Sequence, residues 1–364
     1  MRQRLLEAVP DACIVASAPG RVNLIGEHTD YNGFPVLPLA IDRRVWIAVR
    51  EIDAPLLRVR SLDPRHYQAE EVPLGSLTQR ARSGSWVDYV VAAARRRPPT
   101  RGTELVVAGD VPPEAGLSSS SALVVASFLA LAAPGDRAEL AEEARLAERY
   151  VGTLSGGMDQ AISLLGRPGH ALRIDFRPVR VEAVPLPADL AVVVAHSGIR
   201  ARKSGAARAG YNARVQECAR AAVELGAPTD GLLADVPGED RIARANRLDD
   251  RTLARRARFV FAEALRVDQA AEALRAGDIE RLGELLNASH RGLRDDYEVS
   301  HPAVDELVAR ALAAGALGAR VVGAGFGGCV VAVCRVPEAE VLVEALGADA
   351  WRFSAAGPAE REQR

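Results

Sequence analysis

This sequence predicts a mixed α+β architecture with room for two domains, and three observations carry that reading. A strand–turn–strand pattern runs from Cys13 to Ile47, helical alanine-rich segments alternate with short β-branched runs, and a proline-bearing stretch from Arg180 to Ala188 falls near the middle of 364 residues. Hydrophobic residues at 48% and charged residues at 26% suffice for an ordinary soluble core. The predicted domains are 1–185 and 186–364, with mixed sheets and helices in each.

In chain order, Ile14–Ala18 alternates as a strand, Asn32-Gly33 is a turn signal, and Val36–Val49 is rich in β-branched and aliphatic residues. Between them, Pro19–Tyr31 reads as a turn-rich loop carrying Arg21, Glu27, His28 and Asp30. Such a loop serves as a charged surface hairpin, a metal chelate or a set of polar groups for sugar hydroxyls. No second histidine cluster completes a metal shell, so sugar binding is the better fit. Leu56–Val72 predicts further strand. A helix starts at Trp86, whose ring is either core or one wall of a base pocket. Leu105–Ala108 is a short buried strand leading into Gly116-Leu117-Ser118-Ser119-Ser120-Ser121 and the apolar run Leu123–Leu131. A glycine turn and hydroxyls at a helix start describe either a serine cap or a phosphate site, where unpaired N–H groups and the helix dipole favour an anion. Ala138–Val151 predicts a helix ending at Gly152. Asp159 follows Gly156-Gly157 at the next helix start, as a cap or as a catalytic base. Ala191–Ala195 is a strand, a helix begins near Tyr211, and helical patterns cover Ala262–Leu274, Ile279–Ser289 and Ala303–Ala314. Gly323, Gly325 and Gly328 satisfy the spacing of a dinucleotide fingerprint, but the strand-like Cys329–Val336 follows where that fold needs a helix. The glycines therefore predict a hairpin whose backbone approaches another group closely.

Composition removes several functions. A net charge of −2 gives no electrostatic case for nucleic acid or an anionic membrane. No 18-residue uncharged apolar run or signal peptide appears, and the four separated cysteines suit buried free thiols. The expectation is a cytoplasmic protein. Lys203 is the sole lysine among 46 basic residues and has no GxxxxGK[ST] context, which excludes a P-loop and the protein-kinase lysine.

Gly20–Tyr31 (GRVNLIGEHTDY) resembles the signature of the galactokinase branch of the galactokinase, homoserine, mevalonate and phosphomevalonate kinase superfamily. Gly116–Ala122 is similar to that superfamily's phosphate loop, Gly323–Gly328 to its third motif, and Asn287–Ser300 to galactokinase sequence. The resemblance runs nearly end to end and implies two α+β domains with the active site between them. It also implies transfer of the ATP γ-phosphoryl group to the anomeric hydroxyl of a hexose, without a phosphoenzyme. Asp159 would be the base and Arg21 the cation that keeps it ionised and offsets phosphoryl charge. Glu27, His28, Asp30, Gly156 and Tyr211 would bind the sugar. Trp86 would lie by the adenine; Gly116, Leu117, Ser118, Ser119, Ser120 and Gly325 would bind ATP, with Ser120 and Glu148 on Mg²⁺.

Three positions depart from the family pattern. Glu114 replaces the first glycine of the phosphate loop, Ala147 falls where the metal-binding glutamate is counted with Glu148 one place on, and Ile199–Tyr211 is long and lacks a preceding histidine. The expectation is thus a galactose 1-kinase using ATP and Mg²⁺, monomeric or weakly dimeric. Its rivals are a 1-kinase for N-acetylgalactosamine, a uronic acid or arabinose, and a non-catalytic sugar sensor on the same fold.

Overall fold

The computed structural model describes residues 1–113, 115–133, 135–152, 156–199 and 206–364. Glu114, Ser155, Lys203 and the middle of the long segment before Tyr211 lie outside the described residues. The first sheet contains β1 (Ile14–Asn23), β2 (Pro38–Glu51), β3 (Leu56–Ser61), β4 (Glu70–Pro73) and β5 (Thr103–Gly109). A hairpin of β6 (His170–Phe176) and β7 (Val179–Pro185) follows. The second sheet holds β8 (Leu190–His196), β9 (Gly318–Val321), β10 (Cys329–Arg335) and β11 (Ala350–Phe353). The last strand, β12 (Glu360–Gln363), returns to pair antiparallel with β1, so the first sheet runs β12-β1-β2-β5-β3-β4. The second runs β11-β8-β10-β9. The first and last strands therefore lie side by side in the same sheet.

The mixed strand and helix pattern is as the sequence predicts, with three refinements. The Pro19–Tyr31 segment is not all loop: β1 continues to Asn23, with its register shifted between Pro19 and Arg21. Proline cannot donate to a ladder, so a bulge there is the natural accommodation. Residues 180–185 of the proline-bearing stretch form most of β7, because Val179–Val184 pairs with β6 throughout. The helix expected near Tyr211 starts at Ala206, and the helix expected to reach Val151 ends at Ala147 before a 3₁₀ turn, Glu148–Val151. Gly323–Gly328 joins antiparallel β9 and β10 as a hairpin, which rules out the dinucleotide fold.

Two cores meet at the second sheet. Val192, Val194, Val331 and Val333 join the larger core with the first sheet, whereas Ala191, Val193, Ala195, Val330 and Ala332 join the smaller one. Alternate side chains of one strand point to opposite faces, so a sheet buried on both sides needs uninterrupted apolar strands. That is why β8 and β10 read as solid valine–alanine runs.

The helices that shape the site are α1 (Val87–Arg96), α2 (Ser119–Leu131), α3 (Met158–Leu165), α4 (Ala206–Glu224), α5 (Arg251–Ala276) and α6 (Ile279–Asp295). Helix α2 is apolar on nearly every face and buried from Ser121 to Ala130, as a helix central to a core must be. This fixes its N-terminus rigidly behind the serine loop.

Candidate active site

Arg21 and Asp159 lie 138 positions apart in sequence and meet as an ion pair, Arg21 Nε to Asp159 Oδ1 at 2.7 Å. The side chains are only 7% and 13% exposed. Arg21 also donates from Nη1 to the Gly116 carbonyl at 2.5 Å, and its backbone N–H bonds to Leu117 O at 3.1 Å. The bulged end of β1 thereby ties the serine loop to the start of α3.

The two serine-or-cap and aspartate-or-cap alternatives resolve in one direction. Ser118 precedes α2 in a left-handed conformation and makes no side-chain cap bond. Its hydroxyl donates instead to Asp159 Oδ2, and Ser121 Oγ reaches the same oxygen at 3.4 Å. Asp159 is likewise no cap, since α3 is preceded by Gly157 with no side-chain cap bond. The start of α2 is thus not closed by the Ser118 side chain, whose hydroxyl is turned to Asp159 instead. Gly116 is exposed, Ser119 and Ser120 are half-buried, and Leu117 is buried in the core. Leu117 thus enters the site through its backbone alone.

The sugar-signature residues share one buried cluster. Glu27, 2% exposed, accepts from Asn23 Nδ2 at 3.0 Å and from the Gly323 N–H at 2.8 Å, and forms an ion pair with Arg320 Nη2 at 2.8 Å. Arg320 is fully buried and also donates to Leu24 O at 2.9 Å. Gly26 N–H and Ser289 Oγ donate to the buried Glu263 at 3.0 and 2.6 Å, with Arg266 paired to its other oxygen at 2.7 Å. Burial pushes Glu263 up, but Arg266, Arg320 and Ser289 together hold it below the usual carboxylate range. Neither Arg320 nor Glu263 was singled out from sequence. An arginine inside the apolar run Gly318–Val322 is the signal that could have revealed a buried partner, because charges are rarely buried unpaired.

His28, in left-handed backbone (φ 64°), stacks near Tyr297 (4.7 Å), Tyr211 (5.7 Å) and Tyr31 (5.9 Å). Burial, followed by the Arg214 and Arg320 cations, lowers its pKa to about 3, so the imidazole is neutral. Asp30 rises to about 6, chiefly by burial, with the Asp159 and Glu27 carboxylates adding to it against Arg21 and a backbone hydrogen bond. A Cβ at Gly156 would stand 2.3 Å from Asp30 Oδ2, so only glycine lets this carboxylate lie where it does. Tyr211 is held well above the ordinary phenol value by burial and then by Asp30, Asp159 and Glu27. Asp30, Gly156 and Tyr211 thus converge near Asp159.

The third glycine motif closes the opposite wall. Gly323 faces the Gly116 carbonyl, and a Cβ at Gly325 would meet Val299 O at 2.3 Å, which the Phe326 N–H also bonds at 2.6 Å, so the hairpin packs closely on Val299. Trp86 stands before α1, its Nε1 donating to Gln68 O at 2.8 Å and its ring edge-on to Tyr67. Glu148 is 1% exposed at the start of the 3₁₀ turn, while Ala147 packs in the core. A 3₁₀ turn uses fewer residues than an α turn, so counting back through Glu148–Val151 shifts the register by part of a residue. No group of three or more His, Cys, Asp or Glu side chains is arranged for a metal among the described residues. A buried glutamate and a half-buried serine hydroxyl fit Mg²⁺, which takes few protein ligands and keeps phosphate and water oxygens.

Comparison with known proteins places the chain in a family. Residues 6–51 match the family model described as galactokinase galactose-binding signature, 87–167 the GHMP kinases N terminal domain, and 270–352 the GHMP kinases C terminal. The chain is 41% identical to a galactokinase of Chloroflexus aurantiacus over 345 residues, covering 91% of this chain and 86% of that one. It is 43% identical to a galactokinase of Roseiflexus sp. over 342 residues, covering 90% and 85%. Its structure superposes on that of Lactococcus lactis galactokinase complexed with galactose with a TM-score of 0.85, at 29% identity and 98% coverage of each chain. With the signature, the buried Arg21–Asp159 pair and relatives this similar along nearly the whole chain, the protein belongs to the galactokinase family.

Proposed function

We propose that the chain phosphorylates D-galactose at its anomeric hydroxyl with ATP, giving α-D-galactose 1-phosphate and ADP. The observation that carries this is the Arg21–Asp159 pair set against the uncapped start of α2, because it joins a candidate base to an anion-binding helix end. Asp159 takes the proton of the C1 hydroxyl as its oxygen attacks the γ-phosphorus in line, and the bond to the β-phosphate oxygen breaks. Arg21 favours the ionised carboxylate and offsets charge on the transferring group. Gly116, Leu117, Ser118, Ser119 and Ser120 cradle the triphosphate, with Gly325 on the opposite wall and Trp86 by the base. Ser120 and Glu148 would hold Mg²⁺, which supplies charge neutralisation on the phosphates when bound. Glu27, His28, Asp30, Gly156 and Tyr211 orient the sugar, whose vicinal hydroxyls suit paired carboxylate acceptors.

In this reading residues 1–185 bring the sugar signature, phosphate loop and base, and 186–364 the third motif. The same reading makes it a cytoplasmic, monomeric or weakly dimeric enzyme acting on small molecules; no helix among the described residues is long and apolar enough to cross a membrane. The test is ADP release from Mg-ATP with galactose, N-acetylgalactosamine, glucose, galacturonate, glucuronate and arabinose. Turnover strongest on galactose is expected. Turnover on another sugar moves the substrate, and binding without ADP release on any of them overturns the enzyme.

A further inference from the structure

Behind the cluster of signature side chains run three groups, Cys218, Tyr297 and Tyr31, that the proposed reaction does not use and that end on His28. Cys218 Sγ lies 3.1 Å from Tyr297 Oη, Tyr297 Oη lies 2.7 Å from Tyr31 Oη, and Tyr31 Oη lies 3.0 Å from His28 Nδ1. Tyr297 and Cys218 are buried, and His28 is 5% exposed. The other ring nitrogen, Nε2, makes no hydrogen bond of good geometry among the described residues, with the Ala324 backbone also close enough to act on the ring. We propose that Tyr31, held by Tyr297 and Cys218, is a positioning residue that fixes His28 as the tautomer protonated on Nε2. The imidazole then faces the sugar as a hydrogen-bond donor, a consequence that rests on the galactokinase reading above.

Proton counting carries the assignment. Three links need three protons, and the thiol and two phenols supply three. Burial raises all of them, the thiol to about 11, so each keeps its proton at neutral pH. Running from sulfur to imidazole, Cys218 donates to Tyr297, Tyr297 to Tyr31, and Tyr31 to the lone pair of Nδ1. The remaining imidazole proton must then sit on Nε2. Asn32 completes the scheme: its amide donates to the His28 carbonyl at 2.7 Å and to the Cys218 sulfur. The reverse direction would ask the sulfur, a weak acceptor, to take two donors. It would also leave the buried thiol proton with nowhere to go and waste the strongest acceptor in the chain.

The first readout needs no sugar. Two-bond ¹H–¹⁵N correlation on the ¹⁵N-labelled full chain, with His28 assigned by its loss in His28→Gln, reports which ring nitrogen carries hydrogen. The wild type is expected to show protonated Nε2 and bare Nδ1, and Tyr31→Phe to shift the ring toward the Nδ1 form. Tyr297→Phe, which keeps the ring packed on His28 and Phe259, should move it the same way by less. Protonated Nδ1 in the wild type, or an unchanged ring in Tyr31→Phe, would overturn the proposal. The second readout is kinetic: Tyr31→Phe should raise KM for galactose roughly tenfold, with kcat and KM for ATP within about twofold. A loss confined to kcat would overturn the positioning role. Protonated Nε2 in a chain that ignores galactose upholds the tautomer and overturns only the sugar reading.

Discussion

Replacing Arg320 with methionine tests how the sugar signature is held. The Arg320 and Glu27 side chains are 0% and 3% exposed, and Arg320 is also a main cation near Glu263. Two buried carboxylates now face two cations, Arg320 and Arg266; the substitution leaves one negative charge in excess and the Leu24 carbonyl without this donor. Removing one partner of a buried pair costs about 3–5 kcal/mol. Glu27 keeps the Asn23 and Gly323 donors, so the lower end, about 3 kcal/mol, applies. Equilibrium urea unfolding followed by circular dichroism should show a lower midpoint at unchanged slope. Glu27→Gln combined with Arg320→Met should cost less than the sum of the two single changes by at least about 1 kcal/mol, since the neutral amide no longer needs the cation. A loss below about 1 kcal/mol for Arg320→Met, or simple additivity in the double variant, would refute the reasoning.

Three further outcomes are expected. Asp159→Ala should lower kcat at least about a hundredfold while calorimetry still detects galactose, and near-normal ADP release would remove Asp159 as base. If Asp30 orients the sugar as proposed, its carboxylate form is the acceptor, so kcat/KM for galactose should rise with pH through about 6; Asp30→Asn should flatten that rise, with His28 neutral throughout. The same group works against the fold: with a folded value near 6 above its ordinary 3.8, it withdraws stability as pH climbs between the two, and urea midpoints of wild type and Asp30→Asn should diverge in its disfavour over that window. Gly156→Ala sets a methyl 2.3 Å from Asp30 Oδ2, so KM for galactose should rise at least about tenfold; an unchanged KM would mean Asp30 stands clear of the sugar.

The sequence by itself determined the classes of element and most of the residues to watch. Alternation in β1 and β2, the all-apolar α2 and the valine runs of β8 and β10 are local patterns set by periodicity and burial. The signature Gly20–Tyr31 named Arg21, Glu27, His28 and Asp30 because so many specified positions fall together. Context alone also showed that the late glycines form a hairpin. Only the tertiary structure decided what those residues touch. Whether Ser118 and Asp159 cap their helices or face one another depends on β1 carrying Arg21 between two helix starts, a contact across 138 positions. The clamp of Arg320 on Glu27 spans 293 positions by their numbering, and the Tyr297–Tyr31 bond spans 266. Such partners are chosen by how strands and helices pack, and burial then makes each unpaired charge or hydroxyl costly enough that the packing must supply its mate.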